Sequence, residues 1–362
     1  MAAKLTHIEG LRQSLHLLEH QEGREQELAH RLRERHLFRY ACLGAVGPDI
    51  FYFYHILSRK KNARSLYWGN LAHHSRVFEL VLNFLDIIRE TRHADTREKL
   101  TAFALGYISH CAIDIITHPY IFYISGDYYS ENPDQATKAQ ENHLRVEYIL
   151  DSHLVYHRWG MTPREYNFKQ YIAGTDETDD AVGRGIDRDI WQLWVRALER
   201  THASEFKHFY VGSPHRIEKG DIINESYLGF VRFASLTDVR SRTVRAFLKS
   251  LDTLTFRRLK TRYLILPAPD TIDRRLTNAE HREWKYPADP ARRSTVDFVE
   301  LVNQAARFST RLISDSVAYL EKRMARKDYE KEYLNYNLDT GIRSASLQMT
   351  EFAPIHEDPE PD

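Results

Sequence analysis

A stretch of twenty residues, Lys99 to His118 (KLTAFALGYISHCAIDIITH), constrains the fold most strongly. As a helix it is apolar on nearly all sides, so it has no face to give to water and belongs at the centre of a bundle. Inside it stand His110, Asp114 and His118, spaced i, i+4, i+8. Successive members of such a series rotate by ~40° and rise by ~6 Å, which puts all three on one face over ~12 Å. Burying three polar side chains in an apolar helix costs free energy unless they are paired or ligated. Two imidazoles and a carboxylate are donors that zinc accepts. Centres in multi-metal sites lie ~3.5–4 Å apart, so a row of this length can serve more than one ion, with the central carboxylate bridging. The plain alternative is a set of core polar groups hydrogen-bonded to one another.

The remaining chain reads as helices around this one. Leu11, Leu15, Leu17 and Leu18 recur at roughly helical spacing after a candidate N-cap, Thr6. A second helix is expected from about Glu25 to Ala45, ended by Gly44, Gly47 and Pro48. The stretch Arg76–Glu90 is amphipathic, the central helix should stop near His118 because Pro119 follows, and another helix should run from about Thr137 to Arg158. Beyond an acidic, glycine-containing segment at 174–187, helices are expected over Arg188–Arg200, Asp238–Leu254 and Thr295–Arg326. Between the last two lies an irregular stretch with Pro267, Pro269, Pro287 and Pro290, and no segment shows the period of two expected of strands. The expected fold class is all-α, a multi-helix bundle. Its expected organisation is a His-rich core at 1–173, additional helices packing on it at 174–350, and a disordered acidic tail at 351–362.

Histidine is unusually frequent: 19 copies, 14 of them in the first 157 residues. His143 and Glu147 repeat the i, i+4 spacing on the following helix, although such a pair is also common on exposed helix faces. His73 and His74 precede the helix that begins near Arg76, and either one, or neither, can serve as a ligand. Asp49 follows a Gly-Pro turn, where an aspartate is ordinarily a cap. His7 lies near the N-terminus, where histidines are usually solvated. Cys42 and Cys111 sit in apolar surroundings and read as small buried hydrophobes. There is no Gly-rich phosphate loop, His-Glu-x2-His element or Gly-x-Ser-x-Gly elbow, so a metal cluster is the one catalytic apparatus in view.

Charge and hydropathy narrow the function. Lys plus Arg and Asp plus Glu are both 51, so no global field is available to hold duplex DNA. No apolar run is read as approaching the ~20 residues of a membrane span. The start, MAAKLTHIEGLRQ, shows no secretory signal, and a cytoplasmic location is expected.

The order THIEG, LGAVGPDIFYF, a histidine before a helix, LGYISHCAIDIITHP and HLRVE resembles the zinc-dependent phospholipase C family. The N-terminal domain of glycosylphosphatidylinositol-specific phospholipase D resembles it too, and the single-strand-specific zinc nucleases share the broader fold. The resemblance covers about residues 5–160 and continues loosely through 284–313, similar to the family's closing helix. It implies a cluster of two or three zinc ions. His74, by its spacing to Phe78, matches the family's ligand before that helix better than His73. With His110 and Asp114 it would hold one ion; His118, His143 and Glu147 would hold a second. Asp114 would bridge to a third, completed by His7 and the chain's own amine. Asp49 matches the carboxylate near the attacking water, as general base or additional ligand. Where secreted members place an N-terminal Trp, this chain has none before His7; loss of Met1 would leave an amine on Ala2, five residues before His7.

The expected activity is therefore zinc-dependent hydrolysis of phosphodiesters, with a phospholipid as favoured substrate and peripheral membrane contact compatible with it. The alternatives are a nuclease or nucleotidase on the same cluster and a non-catalytic, metal-stabilised helical protein. Phe51–Tyr54 and Tyr120–Ile124 read first as core and site-wall packing. The basic stripe from Arg240 to Arg262 reads first as a solvated helix face.

Overall fold

The computed structural model describes residues 4–56, 58–162, 164–172, 185–237, 240–256, 261–344 and 346–356. Among them the architecture is the expected all-α bundle, with one small hairpin. The N-terminal half carries α1 (Lys4–Glu19), α2 (Arg24–Arg33), α3 (Arg35–Ala45), a 3-10 turn (Pro48–Phe53), α4 (Arg59–His74), α5 (Val77–Glu90), α6 (Ala94–Ser125) and α7 (Pro133–Trp159). Then follow α8 (Lys169–Ile172), α9 (Arg188–Thr201), α10 (Ala203–Phe209), α11 (Ile222–Leu236), α12 (Arg242–Leu254) and α13 (Arg274–Thr277). The hairpin of β1 (Trp284–Tyr286) and β2 (Asp289–Ser294) precedes α14 (Phe298–Leu320) and α15 (Arg326–Tyr333).

The apolar helix α6 is the axis of the bundle. It packs against α3, α14, α1, α7 and α5, and its residues from Ala102 to Ile115 are all buried. By length and hydropathy it would qualify to cross a membrane, contrary to the sequence expectation, but 89% of its most apolar window is covered by the surrounding helices. It crosses α3 at two glycines. A Cβ on Gly106 would lie 1.9 Å from the Ala41 carbonyl oxygen, and one on Gly44 1.9 Å from that of Phe103. Only hydrogen fits at either position, and this approach brings the end of α3 within reach of His110.

Helix α6 does not stop before Pro119 but runs through it to Ser125. Proline has no N–H to give the Ile115 carbonyl. The space beside that carbonyl is filled by Gly341, which adopts φ +67° and where a Cβ would lie 2.4 Å from the Ile115 oxygen. The helix survives because tertiary packing covers the break, a term that local propensity does not contain.

Other departures have similarly local causes. The expected Glu25–Ala45 helix is two helices, separated by an extended Glu34 (φ −57°, ψ 131°). Thr6 is not an N-cap: α1 begins at Lys4, and Asp151 of α7 accepts from Leu5 N at 3.1 Å and Thr6 N at 2.8 Å. The stretch that was expected to be irregular contains the antiparallel hairpin, anchored by buried Trp284 against Tyr120. Of the tail expected to be disordered, residues 351–356 run along the end of α6, with Ala353 and Ile355 donating to the carbonyls of Tyr123 and Ile124. Residues 357–362, most of the acidic 174–187 segment, and Arg257, Arg258 and Lys260 lie outside the described residues. Cys42 and Cys111 are free and buried.

Candidate metal centre

Five segments deliver donors to one buried place. Helix α6 presents His110, Asp114 and His118 on the face expected from their spacing, each at most 6% exposed. Helix α1 brings His7, the 3-10 turn opened by Pro48 brings Asp49, the last turn of α4 brings His73, and α7 contributes His143 and Glu147. All of these are buried, so neither the solvated reading of His7 nor the exposed-pair reading of His143 and Glu147 holds.

Their donor atoms form three contiguous groups, within each of which the atoms lie no more than 4.8 Å apart: His7, His110 and Asp114; Asp49, His73 and His110; and His118, His143 and Glu147. Asp114 joins them. Its Oδ1 lies 3.3 Å from His7 Nε2 and 3.2 Å from His118 Nε2, and its Oδ2 lies 2.8 Å from His110 Nε2 and 3.8 Å from His73 Nε2. Asp49 Oδ1 sits 3.4 Å from His73 Nε2, and Glu147 Oε1 sits 3.1 Å from His143 Nε2.

Backbone carbonyls aim two of the rings. His110 Nδ1 lies 2.9 Å from the Ala45 oxygen and His73 Nδ1 2.7 Å from the Gly69 oxygen. A carbonyl only accepts, so both Nδ1 atoms carry the proton and both Nε2 atoms offer a lone pair to the cluster. Such outer hydrogen bonds fix the tautomer and orientation of a metal-binding histidine.

Electrostatically the centre sets four carboxylates, Asp49, Asp114, Glu147 and Asp339, among buried imidazoles. Burial drives His7 down to about 3, helped by neighbouring His110, whose ring stacks on it with centroids 4.0 Å apart. Burial also opposes charge on His118, yet Asp114, Asp339 and Glu147 override it and hold that imidazole up at about 9. Burial works against the Asp114 carboxylate too, but His110, His118 and His7 keep it well below the usual range. His7 Nδ1, both oxygens of Asp49 and both of Asp114 are buried without a well-formed hydrogen bond. Orphaned buried donors and acceptors are costly. Divalent cations among these nitrogens and oxygens would ligate them and balance the carboxylates, so the residues present fit zinc.

The paired histidines resolve differently from the sequence expectation. His73, not His74, turns into the cluster. Adjacent helical residues point ~100° apart, so only one of two neighbours can face a given site. His74 Nε2 instead meets Asp339 Oδ2 at 2.6 Å, and the Tyr129 hydroxyl donates to the same carboxylate oxygen. Asp339 was not a candidate from the sequence. It lies far down the chain, and nothing in its neighbourhood marks it; only the fold brings its Oδ1 to 3.2 Å from His118 Nδ1. The N-terminal amine, expected near His7, belongs to residues outside those described.

A narrow cleft of about 30 Å³ opens onto this cluster between Asp49, His73, His118, His143 and Asp339. Tyr52, Phe122, Tyr128 and Tyr129 also line it, so part of each aromatic run expected to be core or site wall borders the centre.

Comparison with known proteins agrees with this architecture. A family model described as zinc dependent phospholipase C matches residues 6–208, which contain every clustered donor except Asp339. No curated protein and no solved structure gives a significant match. With more than half of its length matched and its donors gathered around one buried helix, the chain belongs to the zinc-dependent phospholipase C family.

Proposed function

We propose that the protein hydrolyses phosphodiesters with water, a phospholipid being the favoured substrate, and that His7, Asp49, His73, His110, Asp114, His118, His143 and Glu147 hold two or three zinc ions. The observation that carries this reading is the continuity of the three donor groups through Asp114, beside a cleft that reaches the surface. Bound zinc supplies a water acidified towards neutrality and a cationic clamp for phosphate oxygens.

The chain's own residues do the rest. Asp49 has both oxygens free of well-formed hydrogen bonds and stands at the cleft, where it accepts the proton of the attacking water. The water oxygen bonds to phosphorus, the ester bond to the alcohol breaks, and the alcohol leaves with a proton. Burial keeps the hydroxyls of Tyr52 and Tyr128 protonated, so in the cleft wall they remain donors for the phosphoryl oxygens. The cleft has room for water and the edge of a phosphate rather than an acyl chain, so the diacylglycerol portion of a lipid stays outside.

Zinc-loaded protein assayed side by side on phosphatidylcholine vesicles and single-stranded DNA tests this reading. Release of phosphorylated headgroup, abolished in Asp49→Asn while the ions held by the other donors remain, is the expected result. Turnover of DNA alone would move the assignment to a nuclease, and tight zinc without turnover of either substrate would leave a metal-stabilised scaffold.

A further inference from the structure

A second cavity, of about 740 Å³, lies on the other side of α1 from the metal centre. Glu9, Arg12, Gln13 and His16 line it at i, i+3, i+4 and i+7, one stripe of the helix. His7 is two residues from Glu9, a rotation of ~200°, so α1 turns opposite faces to the two sites. The remaining wall comes from the α2–α3 junction, the end of α7 and α8, and the cavity shares no lining residue with the cleft at the zinc cluster.

The composition of this wall is one-sided. Five guanidinium groups border it, those of Arg12, Arg33, Arg35, Arg39 and Arg158, in a chain whose total charge is zero. Among the described residues its one lining carboxylate is Glu9, which accepts from Trp159 Nε1 at 2.6 Å and from the Tyr166 hydroxyl at 2.9 Å and lies 4.0 Å from Arg12 Nε. The guanidinium of Arg12 is held rigidly: its carbon lies 4.2 Å from the centre of the Trp159 ring, and Nη1 donates to the Tyr171 hydroxyl at 2.8 Å. Arg158 is braced by Asn303, and Arg33 by Glu19 at 3.2 Å. A stacked, braced guanidinium loses little freedom when it binds an anion, and its planar fork matches two phosphate oxygens at once. The half-exposed Trp159 adds a flat apolar surface beside the charges.

From this geometry we infer that the cavity is a binding site for a multiply phosphorylated anion, separate from the catalytic cleft. The volume of the cavity and its five arginines suit a ligand carrying several phosphates better than a single phosphate ion. Such a ligand reaches the site either as a free polyphosphate or as the headgroup of an anionic lipid. The site does not depend on the hydrolytic reading, because none of its residues belongs to the metal centre.

Calorimetric titration of the zinc-loaded full chain with inositol hexakisphosphate, beside flotation with vesicles containing phosphatidylinositol 4,5-bisphosphate, tests the inference. Saturable binding in either arm supports it and identifies the source, with affinity falling as salt rises. The double variant Arg35→Gln/Arg39→Gln is expected to bind at least about tenfold more weakly, with zinc content and melting temperature unchanged. If that variant does not fold, hydrogen exchange on the wild-type chain replaces it: ligand protection should appear in residues 9–16 and 33–39. Failure to bind in both arms, undiminished binding by the folded variant, or protection confined to the zinc cleft would overturn the site.

Discussion

Asp339 Oδ1 lies 3.2 Å from His118 Nδ1, on the far side of the imidazole from Asp114, whose Oδ1 is 3.2 Å from Nε2. The ring is therefore held between two carboxylates, one from the central helix and one from the segment following α15. A carboxylate behind a metal-binding histidine fixes its tautomer and raises its basicity. Asp339 also ties His74 and Tyr129 into the same network, and the backbone N–H of Leu338 donates to the His73 carbonyl at 2.9 Å. The C-terminal segment thus braces two sides of the candidate metal centre.

Asp339→Asn keeps the shape and removes the charge. Zinc affinity in the group of His118, His143 and Glu147 is expected to fall by about 10–100-fold. The group containing His7 and His110 should retain its ion. Competition titration against a chromogenic chelator, resolving the equivalents separately, checks both statements.

The two adjacent histidines make opposite predictions. His73→Ala should lose about one zinc equivalent and lower the melting temperature, because ligation is linked to folding. His74→Ala should keep full zinc content and change only the packing around Asp339 and Tyr129. Elemental analysis of the two purified variants distinguishes them. Equal zinc in both would place the ligand elsewhere.

The central donors should tie metal content to stability. Exhaustive chelation, His110→Ala or Asp114→Ala should each remove zinc and activity together. With free zinc at about 1,000 times its dissociation constant, each bound ion contributes about 4 kcal/mol, so chelation should lower the melting temperature by many degrees. Calorimetric scans with and without chelator measure this, and an unchanged transition would argue against the cluster.

Lys4 carries a pH signature. Its ammonium is enclosed by aromatic rings, 4.6 Å from the centre of Phe233, 5.1 Å from Phe53 and 5.6 Å from Phe230. Burial pushes its pKa down from 10.5 to about 8, against the pull of Asp151 and Asp49. The folded state therefore binds fewer protons than the unfolded chain between these two values, and stability rises with pH across that window. Below it the whole cost of the buried charge is present, about 3 kcal/mol, partly offset by the cation–π contacts. Lys4→Met should stabilise the protein by about 1–3 kcal/mol at pH 7, and the advantage should shrink towards pH 10.5. Urea unfolding at the two pH values tests the sign.

Much of the centre was legible because helical spacing is a local property. His110, Asp114 and His118 had to share a face, and His143 and Glu147 had to do the same, whatever surrounded them. The apolar sequence around the first three required that face to be interior. Between His73 and His74 spacing is silent, because a difference of one residue is a rotation that only the packing of α4 decides. The expected end of α6 near His118 followed from the restriction a proline places on the residue before it, but the outcome was set by tertiary packing, with Gly341 lying beside the Ile115 carbonyl. The short hairpin was missed for a related reason: a three-residue strand has no readable period, and Trp284 is held by Tyr120 from another part of the chain.

From the sequence alone came the helical bundle, its central helix, the kind of donors and the family they resemble, since each follows from residue type and short-range periodicity. The tertiary structure decided which histidine enters the cluster, the arrival of Asp339 behind His118, and the gathering of five arginines around a second cavity. Those are relations between distant segments, and they exist only once burial of the apolar helices has chosen how the segments pack.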